Sequence, residues 1–363
     1  MEANMNIEVL LHEMSTITTK YNIVAEITGE RFNVFQILGV STDEVQTHSA
    51  FLKELLDPFG SHGCGNIFLK LFLQCQLNKD YDSFFKDKLE LFNNENCEVS
   101  KEFYISMINA EDTEGGRIDV LLTSGKQQII IENKINSGAR KNQLIRYNNF
   151  GKSQAPIFYL TLNGNEPSLE SCGHLKNKVH YACISYKEDI LGWVQLCREK
   201  ASNFPLVRET LSQYIYLIKS LTHQTTNDKM KNEIVEILTS SKEKMDVAQI
   251  IFENWDECKK SVVHNMGRQF ASKFGYEFYE KNDGFTLLCE KWQHPLYFSF
   301  GKDFESDLQI GFAKENDGWL NHWISKYDEW SKLSWTDVMS DNGIIFMKDC
   351  ISEFNSNSSV IES

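Results

Sequence analysis

Two apolar runs joined by a tight turn constrain this chain more than any other stretch. Residues 117–135 read RIDVLLTSGKQQIIIENKI. The pattern predicts a strand over 117–123, a turn at Gly125-Lys126, a second strand over 128–135 and a helix from about Ser137. Glycine supplies the positive φ required at the first central position of a type II′ turn. If Ser124 and Gln127 close that turn, Asp119 falls directly opposite Glu132, with both side chains on one face of the sheet. Lys134 joins them because strand side chains alternate with a period of two. Near-continuous Ile, Leu and Val runs belong to strands covered on both faces. A charge placed there has to be paired or bound to a metal, since burying it alone costs several kcal/mol.

A structural Asp–Lys–Glu cluster would meet that requirement, and so would a hydrolytic site. Two hard carboxylate oxygens suit Mg²⁺, which keeps other positions for water and phosphate oxygens. Such an ion activates water and stabilises charge in the transition state. A lysine can orient the attacking water or neutralise developing charge. The strand–turn–strand setting favours the hydrolytic reading.

At these residues the chain resembles the PD-(D/E)XK nuclease superfamily. Asp119 matches the first Asp of the motif, Glu132 the D/E position, Asn133 the X and Lys134 the lysine. Gln143 and Tyr147 match a Gln-x-x-x-Tyr element that follows the ExK strand in RecB-like members. The wording RIDVLL…IIIENKI followed by QLIRY is similar to a bacterial branch of the superfamily. One departure is that Ile118, not proline, precedes Asp119. The resemblance implies an α/β fold, a restriction-endonuclease-like αβββαβ core with a mixed central sheet. It implies Mg²⁺, with Mn²⁺ as a substitute, held by Asp119 and Glu132 with help from the Asn133 carbonyl. It also implies that Lys134 assists the nucleophilic water, and that Gln143 and Tyr147 orient the site or the scissile phosphate. DNA is expected ahead of RNA because most of the superfamily cuts DNA, and bacterial defence against phage follows by analogy. The alternatives are an RNA-cutting toxin or effector, and a nuclease-fold module that binds nucleic acid or protein without cutting. The intact motif disfavours the second.

Charge is distributed unevenly. The whole chain carries −14, which argues against loose polyanion binding by the entire surface. Yet residues 117–152 hold seven basic side chains against Asp119 and Glu132, a local +5. Arg117, Arg140 and Arg146 are the candidate nucleic-acid contacts, with Arg140 on the same predicted helix face as Gln143. Lys141 and Lys152 read as a solvated helix face.

Further upstream, Ser41-Thr42-Asp43-Glu44 has the capping-box form, with Ser41 as N-cap of a helix that stops before Pro58. Two readings of Glu44 stay open: a further metal carboxylate, or a capping residue only. The phrase EVQTHSAFLKELLDP resembles the same branch, in which a Glu and a His-Ser pair recur in this helix. His48, one turn on from Glu44, is expected to support the site from behind or to pack.

The resemblance spans about residues 30–222, and the domain boundaries follow it. Residues 1–38 read as a helical segment, 39–222 as the nuclease domain, 229–352 as a C-terminal α+β domain and 353–363 as a disordered tail. Within the nuclease domain, further strands are expected over 98–105, 156–162 and 181–185, and a polar loop over 163–178 could overhang the site. The C-terminal part is expected to hold one long helix or two over 229–274. Strands follow over 276–280, 285–291, 296–301 and 308–313. Six of the seven tryptophans lie from Trp255 onward, among them Trp319, Trp323, Trp330 and Trp335. They suit an aromatic core, with base stacking or a regulatory or self-association interface as the other readings. Nine scattered cysteines without a C-x-x-C pair suggest neither a disulfide framework nor a zinc site. No apolar run approaches the ~18 residues of a transmembrane helix. The acidic N-terminus lacks the basic start of a signal peptide. A reducing cytoplasm is the expected compartment.

Overall fold

The apolar runs become the middle of a sheet. The computed structural model describes residues 2–290, 292, 294–301, 303–305, 308–314 and 318–358. The chain divides into two compact units, Leu11–Val235 and Glu236–Ser363 with Met1–Leu10. Helix α1 (Glu2–Thr28) is followed by the short α2 (Val34–Ile37), whose first amides are capped by the Asn33 side chain. A π-helical turn (Glu44–Ser49) runs on into α3 (Ala50–Leu56), and α4 (Ile67–Leu77) and α5 (Ser83–Glu90) follow. Strands β1 (Glu98–Ser106), β2 (Gly116–Ser124) and β3 (Gln127–Lys134) form an antiparallel meander. After α6 (Gln143–Phe150), β4 (Ile157–Thr161) pairs with β3 in parallel. After α7 (Leu169–Cys172), β5 (Tyr181–Ser185) pairs with β4 in the same sense. The order β1-β2-β3-β4-β5 makes a mixed sheet. A second π-helical turn (Tyr186–Ile190) leads into α8 (Leu191–Lys200), and then α9 (Pro205–Leu221) starts on its proline.

The turn register is the expected one. Ser124 pairs with Gln127 and Val120 with Ile131. Gly125 has φ 61° while Lys126 keeps a negative φ, as a type II′ turn requires. Ile129 and Ile131 face one core with Val120, Leu122, Phe158 and Leu160, and Ile130 faces the other with Leu121, Leu144 and Tyr147. Coverage on both faces explains why the strand is a continuous apolar run.

Three local features depart from expectation. The helix after β3 begins at Gln143, not Ser137. The amides of residues 135–137 are taken by the Glu44 carboxylate, and Asn142 adopts a left-handed φ of 52° just before the helix. Arg140 therefore lies in a loop and does not share a helix face with Gln143. The helix at Glu44 is capped by Asp43, whose Oδ1 accepts from the Val45 and Gln46 amides at 3.0 and 2.8 Å, and not by Ser41. Glu44 is then the first helical residue and cannot complete a capping box from the third.

In the second unit, α10 (Thr226–Leu238, which spans the division), α11 (Lys242–Glu253) and α12 (Trp255–Phe274) replace the one or two expected helices. The breaks fall where Ser241 caps the Lys244 amide and at Asn254. Gly275 ends α12 with φ 77°. Strands β6 (Glu277–Lys281), β7 (Gly284–Leu288), β8 (Leu296–Ser299), β9 (Gln309–Lys314) and the unexpected β10 (Gly318–Ser325) form an antiparallel sheet in sequential order. Short helices α13 (Tyr327–Trp330) and α14 (Trp335–Val338) precede α15 (Asp341–Ser358). Trp330 is buried on Phe300 with ring centroids 4.8 Å apart and donates its indole N–H to the Phe304 carbonyl at 3.1 Å. Helix α15 extends into the segment expected as a disordered tail, of which 359–363 lie outside the described residues. Lys291 and the side chains of Trp319 and Trp323 also lie outside them. Among the described residues no helix is long and apolar enough to cross a membrane.

Candidate active site

The β2–β3 ladder opens where the acids stand. Regular pairing stops at Val120 and Ile131, one rung before Asp119 and Glu132. There the Asn133 amide donates to Asp119 Oδ2 at 2.7 Å, so a side chain takes the place of the ladder bond. Asp119, Glu132 and Lys134 line a cavity of about 210 Å³ together with Gln143, Tyr147, Arg117, Arg140, Arg146, Glu44 and Glu102.

Glu132 is completely buried and is met by the side chains of Gln143, Tyr147 and Lys134. Gln143 Nε2 donates to its Oε1 at 2.5 Å, and the Lys134 ammonium pairs with the same oxygen. The Tyr147 hydroxyl stands 2.9 Å from Oε2 and 2.6 Å from the Arg117 carbonyl, while accepting from Gln143 at 3.1 Å. Residues 143 and 147 are one turn apart on α6, so both side chains reach Glu132 from one helix face. Gln143 Oε1 also accepts the Arg140 amide at 3.0 Å, fixing the loop that enters the helix.

Negative charge is in excess. Burial and then the Glu132 charge push the Asp119 carboxyl up to about 8, with Lys134 and the Asn133 amide opposing and Glu102 adding to the rise. Burial alone would depress the Lys134 ammonium, but Glu132 and Asp119 outweigh it and hold it above its usual value. Burial also lifts the Tyr147 hydroxyl far above the usual phenol range, so it stays a neutral donor. Two facing carboxylates, one unable to ionise freely, form a donor set that a cation would complete. Among the described residues no three His, Cys, Asp or Glu side chains gather closely enough to hold an ion by themselves. One or two carboxylates, with water and main-chain oxygens supplying the rest, is how Mg²⁺ is commonly bound. The residues present fit such an ion.

The other candidates divide. Arg117 is largely exposed and pairs through Nε with Glu102 at 2.6 Å. Arg140 is exposed in its loop. Arg146 is buried, paired with Asp112 and donating to the Lys141 carbonyl at 2.9 Å, and its Nε, beside Gly116, has no partner among the described residues. Glu44 lines the cavity without completing a capping box, and its carboxylate is engaged by the β3–α6 connection. Its Oε1 accepts the Ile135, Asn136 and Ser137 amides at 2.8, 2.8 and 2.9 Å, and its Oε2 accepts the Ser137 hydroxyl at 2.8 Å. Burial would raise its carboxyl, but the bonds from residues 137, 136 and 135 hold it below the usual value. His48 is buried behind the site. Its Nε2 donates to the Ser41 carbonyl at 2.9 Å, which leaves Nδ1 to accept from Tyr214 at 3.1 Å, and burial keeps the ring neutral. The Asn133 side chain points to this rear face, accepting from Tyr186 at 2.9 Å and donating to Ser49 Oγ at 3.1 Å.

Glu102 is the cavity acid that sequence reasoning passed over. Lys101 pairs with Val120 and Phe103 with Ile118, which leaves Glu102 opposite Asp119. Its φ is 55°, a left-handed conformation that non-glycine residues in strands rarely adopt. The side-chain alternation breaks at this rung: Val99, Val120 and Leu122 belong to one core, Phe103 and Ile118 to the other. An acid between Lys101 and Phe103 carried no motif, so only its place opposite Asp119 could have found it. None of residues 163–178, the loop expected near the site, is among those that line the cavity.

A family model described as the PD-(D/E)XK nuclease superfamily matches residues 32–217, just over half of the chain. No curated protein and no solved structure matches it.

Proposed function

The chain belongs to the PD-(D/E)XK nuclease superfamily, and from that premise we propose that it hydrolyses phosphodiester bonds in DNA, with Mg²⁺ as its cofactor. The observation that carries this reading is the opened rung at which Asp119 and Glu132 face each other beside the Lys134 ammonium. Asp119 and Glu132, with the Asn133 carbonyl, would hold the ion, which supplies Lewis acidity to the phosphate and acidifies water. Gln143 and Tyr147 fix the Glu132 carboxylate through its two oxygens. Lys134, kept charged, orients the attacking water and neutralises charge that develops on the phosphate oxygens. Arg117 and Arg140 at the cavity wall contact the flanking backbone phosphates, which position the polymer without reading its sequence.

The test is cleavage of supercoiled plasmid, linear duplex, single strands and total RNA in Mg²⁺, Mn²⁺ or EDTA. Wild type is expected to nick or cut DNA only with metal. Glu132→Ala and Lys134→Ala should each lower the single-turnover rate by about 10²-fold or more. Equal residual activity in wild type and both variants would mark a contaminant and remove the proposal. Cleavage of RNA alone would keep the chemistry and change the polymer.

A further inference from the structure

The end of β3 is gripped from outside the motif. Four residues, Asn133, Ile135, Asn136 and Ser137, all bond to Glu44. Asn133 Nδ2 donates to the Glu44 carbonyl at 3.3 Å, and the next three bonds come from successive amides to a single carboxylate oxygen. The Ser137 hydroxyl closes the second oxygen. Lys134 stands between the first two of these residues, and its own side chain lines the cavity. One carboxylate oxygen is the partner of three successive amides in the β3–α6 connection. The segment contains Gly138, has no regular structure between β3 and α6, and leaves its N–H groups free of any ladder or helix. Of these residues Ile135 is buried while Asn136 and Ser137 are exposed; the carboxylate holds all three amides in one place through charge-assisted bonds, which are about twice as strong as neutral ones.

We propose that Glu44 is a positioning residue, a strut from the first core helix that fixes the main chain immediately after Lys134 and so sets where its ammonium stands. This rests on the nuclease reading, in which Lys134 serves the reacting phosphate. Glu44 stays on the amides through the reaction and is not an ion ligand. Its place as the first residue of a π-helical turn fits the role. Asp43 caps the turn, and the Glu44 side chain is thereby left to point across to the strand end. Widened π turns of this kind are found at functional sites.

Three measurements on Glu44→Ala and Glu44→Gln test this. In EDTA, hydrogen exchange at residues 135–137 should lose protection in the alanine variant and keep most of it in the glutamine variant, whose amide oxygen still accepts. Peptides from β1 and β2 should keep wild-type exchange in both, which shows that the unit remains folded. Mn²⁺ titration without nucleic acid should give dissociation constants within about threefold of wild type for both variants. In cleavage, Glu44→Ala should lower kcat by about 10–100-fold with KM little changed, the usual cost of losing a residue that orients a reactive group, and glutamine should restore most of that loss. Mn²⁺ affinity falling more than tenfold in both variants would overturn the proposal and make Glu44 a ligand. Unchanged exchange at 135–137 in the alanine variant would overturn it as well. If wild type cuts no nucleic acid, the nuclease reading fails on that result, while the exchange data still decide whether Glu44 holds the strand end.

Discussion

Replacing Asp119 by asparagine should make the metal-free protein more stable, and increasingly so as pH rises. In the native state the Asp119 carboxyl is pushed up to about 8, against 3.8 for an unperturbed group. Burial is the first cause and the Glu132 charge the second. An acid whose folded pKa exceeds its unfolded value gives stability at low pH and loses it as pH climbs from the lower value to the higher. Each unit is worth about 1.4 kcal/mol, so between pH 5 and pH 8.5 the wild type loses about 4 kcal/mol at most from this one group. Water entering from the cavity screens part of that, and about 2 kcal/mol is the expected loss. Asparagine has the same shape, carries no charge and keeps an oxygen to accept the Asn133 amide, which now donates at 2.7 Å. The assay is urea denaturation in EDTA at pH 5, 7 and 8.5, read by pulse labelling of β2 and β3 amides at one fixed labelling pH. The stability gap between variant and wild type should widen by about 2 kcal/mol across that range, because other titrating groups cancel in the difference. Saturating Mn²⁺ should narrow it by stabilising the wild type alone. A gap that stays flat or shrinks with rising pH would refute the reasoning.

Three further outcomes follow from particular contacts. Glu102→Gln releases Arg117 from its 2.6 Å pair and should tighten binding of a labelled duplex in EDTA about twofold to fivefold, a gain of under 1 kcal/mol typical of one exposed ion pair; weaker binding by fluorescence anisotropy would contradict it. In the second unit, a methyl at Gly284 would run into the Phe298 carbonyl and the Phe300 ring, so Gly284→Ala should cost about 2–3 kcal/mol, visible as a lowered Tm for that unit. The Glu44 carboxyl lies below its unperturbed 4.5 because the bonds from residues 137, 136 and 135 outweigh burial. Its stability is therefore present above pH 4.5 and lost as pH falls through the lower native value. Thermal melts between pH 6 and pH 3 should show a shallower acid limb for Glu44→Gln than for wild type, and identical limbs would count against the contact.

The hairpin was legible because local rules decide it. Once Gly125 takes a positive φ and the turn has two residues, the pairing of Ser124 with Gln127 carries through to Val120 and Ile131 without reference to the rest of the chain. Gln143 and Tyr147 were legible through the superfamily motif, and their spacing of one turn explains why both reach Glu132. Residues whose partners lie far away in sequence could not be read so directly. That the Glu44 carboxylate holds amides some ninety residues distant could not be read from the sequence, and the start of α6 moved by six residues for the same reason. The charge on Arg146 was visible, but its burial against Asp112 was not, because that contact depends on how the loop after β1 folds back. In the second unit, helical character over 229–274 and four of the strands followed from periodicity, whereas the division into three helices, the helices after β10 and β10 itself did not; β10 lay in a Trp-rich stretch with an irregular register against β9.

The paired state of the cavity's cations changes what a positive patch means here. Of the seven basic side chains between residues 117 and 152, Arg117, Lys134 and Arg146 each already hold a carboxylate. Counterion release rewards a phosphate contact only when the cation or the phosphate gives up a mobile ion. An arginine that leaves Glu102 or Asp112 for the polymer exchanges one fixed anion for another and leaves a bare carboxylate behind. Within this segment, the dependence of affinity on ionic strength, close to −0.9 per phosphate neutralised on a duplex, should then follow Lys126, Arg140, Lys141 and Lys152 at most. Capture of the polymer would be a weak, shallowly salt-sensitive event, and discrimination would rest on the exchange of partners inside the cavity.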